Sequence, residues 1–118
     1  MKKIILLASV LFVLACNKEK APAQTKAKFS VSGFDLPVPC TITFTNNSTQ
    51  ATSQVWYFGD GTQSTERNPT HTYTAIGDYY IKLKVNGATG SDSICSILSL
   101  NRVIMGKSTF AYFLDKCN

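Results

Sequence analysis

Val55-Trp56-Tyr57-Phe58-Gly59-Asp60-Gly61 decides how the rest of the chain is read. Alternation along it sends Val55 and Tyr57 to one face and Trp56 and Phe58 to the other, the period of two that marks a strand. The one Trp of the chain and a large Phe on a single side suit a sheet face pressed against a core. Asp60-Gly61 is expected to supply the positive φ angles of a tight turn into the next strand.

Working outward, the same period recurs on both sides. Upstream, Phe29-Ser30-Val31-Ser32-Gly33 alternates and predicts a first strand. Leu36-Pro37-Val38-Pro39 is an extended turn, because Pro cannot donate to a central ladder. Cys40-Thr41-Ile42-Thr43-Phe44-Thr45 predicts a second strand with Cys40, Ile42 and Phe44 inward, closed by the polar turn Asn46-Asn47-Ser48-Thr49. Downstream, residues 64–73 read as a short strand and turn region. Asp78 to Asn86 is the cleanest strand, with Tyr79, Ile81, Leu83 and Val85 inward. Asn86-Gly87 marks a turn, and Asp92 to Leu100 the last strand of this run. Strands every ten or so residues with turns between them indicate an all-β antiparallel sandwich of about seven strands.

The residues Trp56, Phe58, Gly59, Asp60 and Gly61, then Asn68, Pro69, His71 and Tyr73, then Gly77 and Tyr79, resemble the signature of the PKD domain, an immunoglobulin-like β-sandwich. The resemblance is strong over residues 56–86 and extends over 29–100. Tyr57 departs from it, standing where that family usually has Asp. What the resemblance implies is a module that contacts protein or polysaccharide, without catalysis of its own.

Residues 1–15 stand apart from the domain. Lys2 and Lys3 precede the apolar run Ile4 to Leu14, which is too short to span a bilayer and has the anatomy of a secretory signal. Val13-Leu14-Ala15-Cys16 resembles the lipobox of bacterial lipoproteins, which implies a lipid on Cys16 and cleavage just before it. Multiple acyl chains would hold the protein stably at a membrane. Lys2 and Lys3 leave with the signal, so the formal net charge of +5 falls to +3, no argument for nucleic acid. Residues 16–28 are expected to be the lipidated Cys and a flexible, Lys- and Ala-rich tether. Lys18-Glu19 reads as part of a solvated linker, and also resembles the short Lys-acidic export tag of some surface lipoproteins. The expected location is therefore the outer membrane, facing the cell surface or else the periplasm.

The tail, residues 101–118, forms a C-terminal extension. Phe110, Tyr112 and Leu114 fit a strand, whereas Phe110, Phe113 and Leu114 fit a helical face, so periodicity leaves both open. With Cys16 lipidated in an oxidising compartment, three cysteines allow one bridge. If Met105-Gly106-Lys107 turns the tail back on the last strand, Cys95 faces Cys117 at about 4.5–5.5 Å between Cα atoms, within disulfide range. Bridges from Cys40 to either partner, or no bridge, are the other arrangements.

Chemistry is sparse. His71 is the one His, expected to be hydrogen-bonded within the turn before Tyr73. There is no Gly-x-Ser-x-Gly elbow and no His-Glu-x-x-His pair. Asp60 is explained as a turn residue, and no metal or cofactor is expected. The outward residues Tyr57, Tyr80, Lys82 and Lys84 place aromatics beside cations, an arrangement suited to sugar rings or an acidic surface. Solubility alone also accounts for the lysines. The expected function is a lipid-anchored, non-catalytic envelope binding or adhesion module. The alternative is a structural subunit of an outer-membrane or periplasmic assembly.

Overall fold

The structure is a computed structural model that describes residues 20–33 and 37–101 and the backbone of 111–115. Eight strands form in chain order: β1 (Phe29–Ser32), β2 (Cys40–Asn46), β3 (Ser53–Tyr57), β4 (Gln63–Ser64), β5 (Thr70–Tyr73), β6 (Gly77–Gly87), β7 (Gly90–Leu100) and β8 (Ala111–Asp115). They build a three-stranded sheet in the order β1-β2-β5 and a five-stranded sheet in the order β4-β3-β6-β7-β8, every pairing antiparallel. The described elements are all strands, as the alternation requires.

The inner faces meet through rings contributed alternately by the two sheets. Phe29 of β1 meets Trp56 of β3 edge-on at 5.2 Å, and Phe44 of β2 packs on Trp56 at 5.5 Å and on Phe58 at 5.2 Å. Phe58 stacks on His71 of β5 at 4.2 Å, His71 meets Tyr73 at 4.7 Å, and Tyr73 meets Tyr79 of β6 at 4.3 Å. Ile42, Ile81, Leu83, Val85, Leu98 and Leu100 fill the space around them, all buried. Each such side chain contributes about 1.5–3 kcal/mol by leaving water. Each aromatic contact adds ~0.5–1.5 kcal/mol.

Polar ties fix the sheets in register. Tyr73, 1 % exposed, donates its hydroxyl to the Phe58 carbonyl at 2.8 Å. The Trp56 indole N–H donates to the Glu66 carbonyl at 3.0 Å, which gives the buried ring its one polar partner and pins the loop after β4. The Asn46 amide donates to the Asn68 side chain, and the Phe44 amide to the carbonyl of buried Pro69, each at 2.9 Å.

Four expectations are corrected. The positive φ angles of the β3–β4 loop belong to Gly59 (82°) and Gly61 (89°) rather than to Asp60. Gly59 is also forced by proximity, since a Cβ there would lie 2.5 Å from the Tyr80 amide nitrogen. His71 sits within β5 rather than in a turn, and Tyr73 closes the same strand. The tether reading fails for the segment nearest the domain. Thr25 is buried and its amide and hydroxyl both meet the Thr89 hydroxyl, at 2.8 and 2.9 Å. Lys26 pairs with Thr49, and the Ala27 amide donates to Asp92 at 2.9 Å. Finally, β8 settles 111–115 as strand, but Ser96 lies opposite Asp115, one residue off the alignment in which Cys95 faces Cys117. Cys117, Cys16, the signal segment and the Met105-Gly106-Lys107 turn lie outside the described residues.

Candidate functional site

The outer face of the five-stranded sheet gathers the residues that alternation sends away from the core. On β6 these are Asp78, Tyr80, Lys82, Lys84 and Asn86, all exposed, with Asp78 accepting from the Ser99 hydroxyl of β7. Lys82 stands opposite Tyr57 on β3, and Lys84 opposite Val55. On the other side Tyr80 is paired with Ile97, Lys82 with Cys95 and Lys84 with Ser93 of β7. The four residues singled out from sequence, Tyr57, Tyr80, Lys82 and Lys84, therefore share one surface. Tyr80 is 59 % exposed and Tyr57 37 %, whereas the other aromatics among the described residues pack in or against the core. Among the described residues neither lysine has a carboxylate partner within ion-pair distance.

A groove of about 380 Å³ opens on the same face, lined by Val55, Tyr57, Lys84, Val85, Asn86, Ser91, Asp92 and Ser93. Asp92 is held below the ordinary carboxylate range, first by the hydrogen bond from the Ala27 amide and also by the charge of Lys26. The serines and Asn86 were not singled out from sequence. Pairing the two arms about the Asn86-Gly87 turn would have placed Asn86 opposite Ser91 and Lys84 opposite Ser93, as observed.

A second cluster joins the β3–β4 loop to β5. Asp60 Oδ1 accepts from the Thr62 amide and hydroxyl, and Asp60 Oδ2 lies 2.7 Å from His71 Nε2. Partial burial acts to raise the Asp60 pKa, but the hydrogen bonds from Thr62 and His71 outweigh it and hold the carboxyl below its usual value. An ionised carboxylate only accepts, so Nε2 carries the proton it donates. The Thr62 hydroxyl lies 3.4 Å from that same nitrogen. A nucleophile and its base need a free ring nitrogen between them, with the acid on the other one. Here acid and hydroxyl converge on one atom, an arrangement that ties a loop to a strand. Burial, chiefly, pushes the neighbouring Tyr73 phenol far up, so it stays a donor to the Phe58 carbonyl.

The remaining motif residues serve the frame: Asn68 and Pro69 seat the loop before β5, Gly77 opens β6 opposite Leu100, and the Tyr79 hydroxyl donates to the Ala75 carbonyl at 2.7 Å. Cys40 is buried on the inward face of β2, as expected. Among the described residues no three His, Cys, Asp or Glu side chains gather closely enough to hold a metal ion.

Comparison with known proteins places this geometry. The family model of the PKD domain matches residues 19–100. Collagenase ColA of Bacillus cereus is 51 % identical over 41 residues, 35 % of this chain and 4 % of that protein. The chain thus spans only a small fraction of the length of that curated relative. The crystal structure of the PKD1 domain from the Vibrio cholerae metalloprotease PrtV aligns with a TM-score of 0.57 at 27 % identity, covering 68 % of this chain and all of that one. A structure described as showing the promiscuous specificity of carbohydrate-binding modules of the β-sandwich superfamily aligns with a TM-score of 0.59 at 29 % identity, covering 65 % of this chain and 34 % of that one. With its motif residues knitting the two sheets together and the family match spanning well over half its length, the chain belongs to the PKD domain family.

Proposed function

We propose that this chain is a lipid-anchored, non-catalytic binding module of the bacterial envelope that contacts protein or polysaccharide through the outer face of its five-stranded sheet. The observation that carries the reading is the exposure of Tyr57 and Tyr80 beside Lys82 and Lys84 on one face, with Tyr57 and Lys84 lining a groove there. Large exposed rings next to cations with no carboxylate partner among the described residues suit a recognition surface rather than a core. The likeness to carbohydrate-binding modules and to a protease's PKD domain supports a module that binds. The lipobox-like Val13-Leu14-Ala15-Cys16 supports anchoring, with Cys16 as the lipid-bearing residue. The Cys95–Cys117 bridge belongs to the same proposal, since export would bring both thiols into an oxidising compartment. The alternative of a structural subunit turned on an apolar patch around 110–114, whose side chains lie outside the described residues.

The test is retention of the full chain, in mild detergent, on a panel of insoluble glycans and on immobilised envelope protein. Retention that disappears in Tyr57→Ala/Tyr80→Ala supports the reading. Retention on neither support, or retention indifferent to both tyrosines, contradicts it. Protease shaving of intact cells, with a periplasmic protein as control, then separates a surface location from a periplasmic one. Cys16→Ser should move the protein from the membrane to the soluble fraction if the anchor is real.

A further inference from the structure

We infer that the ligand of this face is an acidic polysaccharide, a chain of sugar rings bearing carboxylates at intervals. The inference rests on reading the face as a binding surface and names what it binds. Along β6 the outward residues after Asp78 run Tyr80, Lys82, Lys84, Asn86, consecutive members about 7 Å apart and the line from Tyr80 to Asn86 about 20 Å long. That line is long enough for several sugar rings rather than one. Tyr57 flanks Lys82 from β3 at roughly 5 Å between Cβ atoms. A ring and a cation thus sit side by side twice, Tyr80 with Lys82 along the strand and Tyr57 with Lys82 across it.

Each element matches one part of such a polymer. The tyrosine faces offer flat apolar area for the C–H faces of pyranose rings. Lys82 and Lys84, without carboxylate partners among the described residues, offer charge for carboxylates of the chain. Asn86, Ser91 and Ser93 continue the groove with the short donors and acceptors that sugar hydroxyls need. Two carboxylates adjoin the line and both are engaged: Asp78, the next outward residue of β6 beyond Tyr80, accepts from the Ser99 hydroxyl, and Asp92, which lines the groove opposite inward Val85, accepts from the Ala27 amide beside the charge of Lys26. A neutral glycan would leave both lysines idle. A folded protein partner would be expected to cover a larger apolar centre than half-buried Val55 and Ile97 and two tyrosine rings provide.

The experiment passes the full chain in mild detergent over polygalacturonate and over amylose, at low and high salt. Predicted is retention on polygalacturonate that weakens with salt and exceeds that on amylose. Lys82→Gln/Lys84→Gln should weaken polygalacturonate binding by about tenfold or more, and Tyr57→Ala/Tyr80→Ala should weaken it comparably. Both pairs are exposed, so circular dichroism should show the fold retained. Equal retention on both polymers, unaffected by the lysine changes, overturns the inference while leaving the binding face standing. Polygalacturonate retention that ignores the tyrosines is mere ion exchange and also overturns it. No retention on polygalacturonate, with capture by immobilised envelope protein instead, overturns the ligand class alone. No retention on any support sinks the binding reading as well.

Discussion

Tyr73→Phe should lower the stability of the domain by about 1–3 kcal/mol, because it deletes one oxygen and leaves a buried carbonyl without its donor. The side chain is 1 % exposed and its hydroxyl reaches the Phe58 carbonyl at 2.8 Å, tying the end of β5 in one sheet to the end of β3 in the other. Phe fills the same space and keeps the contacts with His71 and Tyr79, so packing is unchanged and the hydrogen bond is isolated. For a domain of this size ~1 kcal/mol corresponds to a fall in Tm of about 4–8 °C. In urea, with a slope of about 1 kcal/mol/M, the midpoint should fall by roughly 1–3 M. The matched control is Tyr79→Phe. Its hydroxyl also donates to a carbonyl, that of Ala75, but at an exposed turn where water replaces it, and the expected loss is below about 0.5 kcal/mol. Equilibrium urea melts of both variants decide the matter. If Tyr73→Phe costs no more than Tyr79→Phe, the buried inter-sheet bond is not what locks the sandwich, and the reasoning fails.

Gly59→Ala should be costlier, at least about 2 kcal/mol, since a Cβ at φ 82° is strained and would press on the Tyr80 backbone; a Tm within 3 °C of the parent would contradict this, by the ordinary scaling of Tm with stability. Asp60 and Asp92 both have folded pKa values below their ordinary ones, so each contributes stability that is present above about pH 4 and lost as the pH falls through its folded pKa. Asp60→Asn should therefore differ from the parent in urea midpoint at pH 7 and converge with it in acid, whereas a pH-independent gap would argue that only shape matters. The proposed Cys95–Cys117 bridge predicts a reducible cross-link in protein recovered from the envelope, absent in Cys95→Ser; free alkylation of both thiols before reduction would rule it out.

Much of the fold was legible because it is local. The alternation of Trp56 and Phe58 against Tyr57, and of Ile81, Leu83 and Val85 against Lys82 and Lys84, assigns faces without any tertiary information, and the burial follows it residue by residue. What escaped depends on partners far along the chain. Residues 25–27 have the composition of a linker, yet their partners are Thr89 and Asp92, more than sixty residues away. His71 was expected within the turn before Tyr73, yet it lies in β5 and its partner Asp60 comes from the β3–β4 loop. The tail fits helix or strand equally by its own residues, and pairing with β7 decides for strand. The register of that pairing, with Ser96 opposite Asp115, differs by one residue from the one expected, because alternation fixes a strand's faces but not which residues stand opposite across a pair. The binding face was half legible: its rings and cations from alternation, its hydroxyl-rich continuation on β7 only once the hairpin register is known.

The most direct test of the central claim is a map of backbone amide shifts as soluble oligogalacturonate is titrated into the isotope-labelled chain. The account predicts changes concentrated at Tyr57, Tyr80, Lys82, Lys84, Asn86 and Ser93, with Thr41 and Thr72 on the opposite sheet undisturbed. Changes centred on the three-stranded sheet, or on the Asp60–His71 loop, would contradict it.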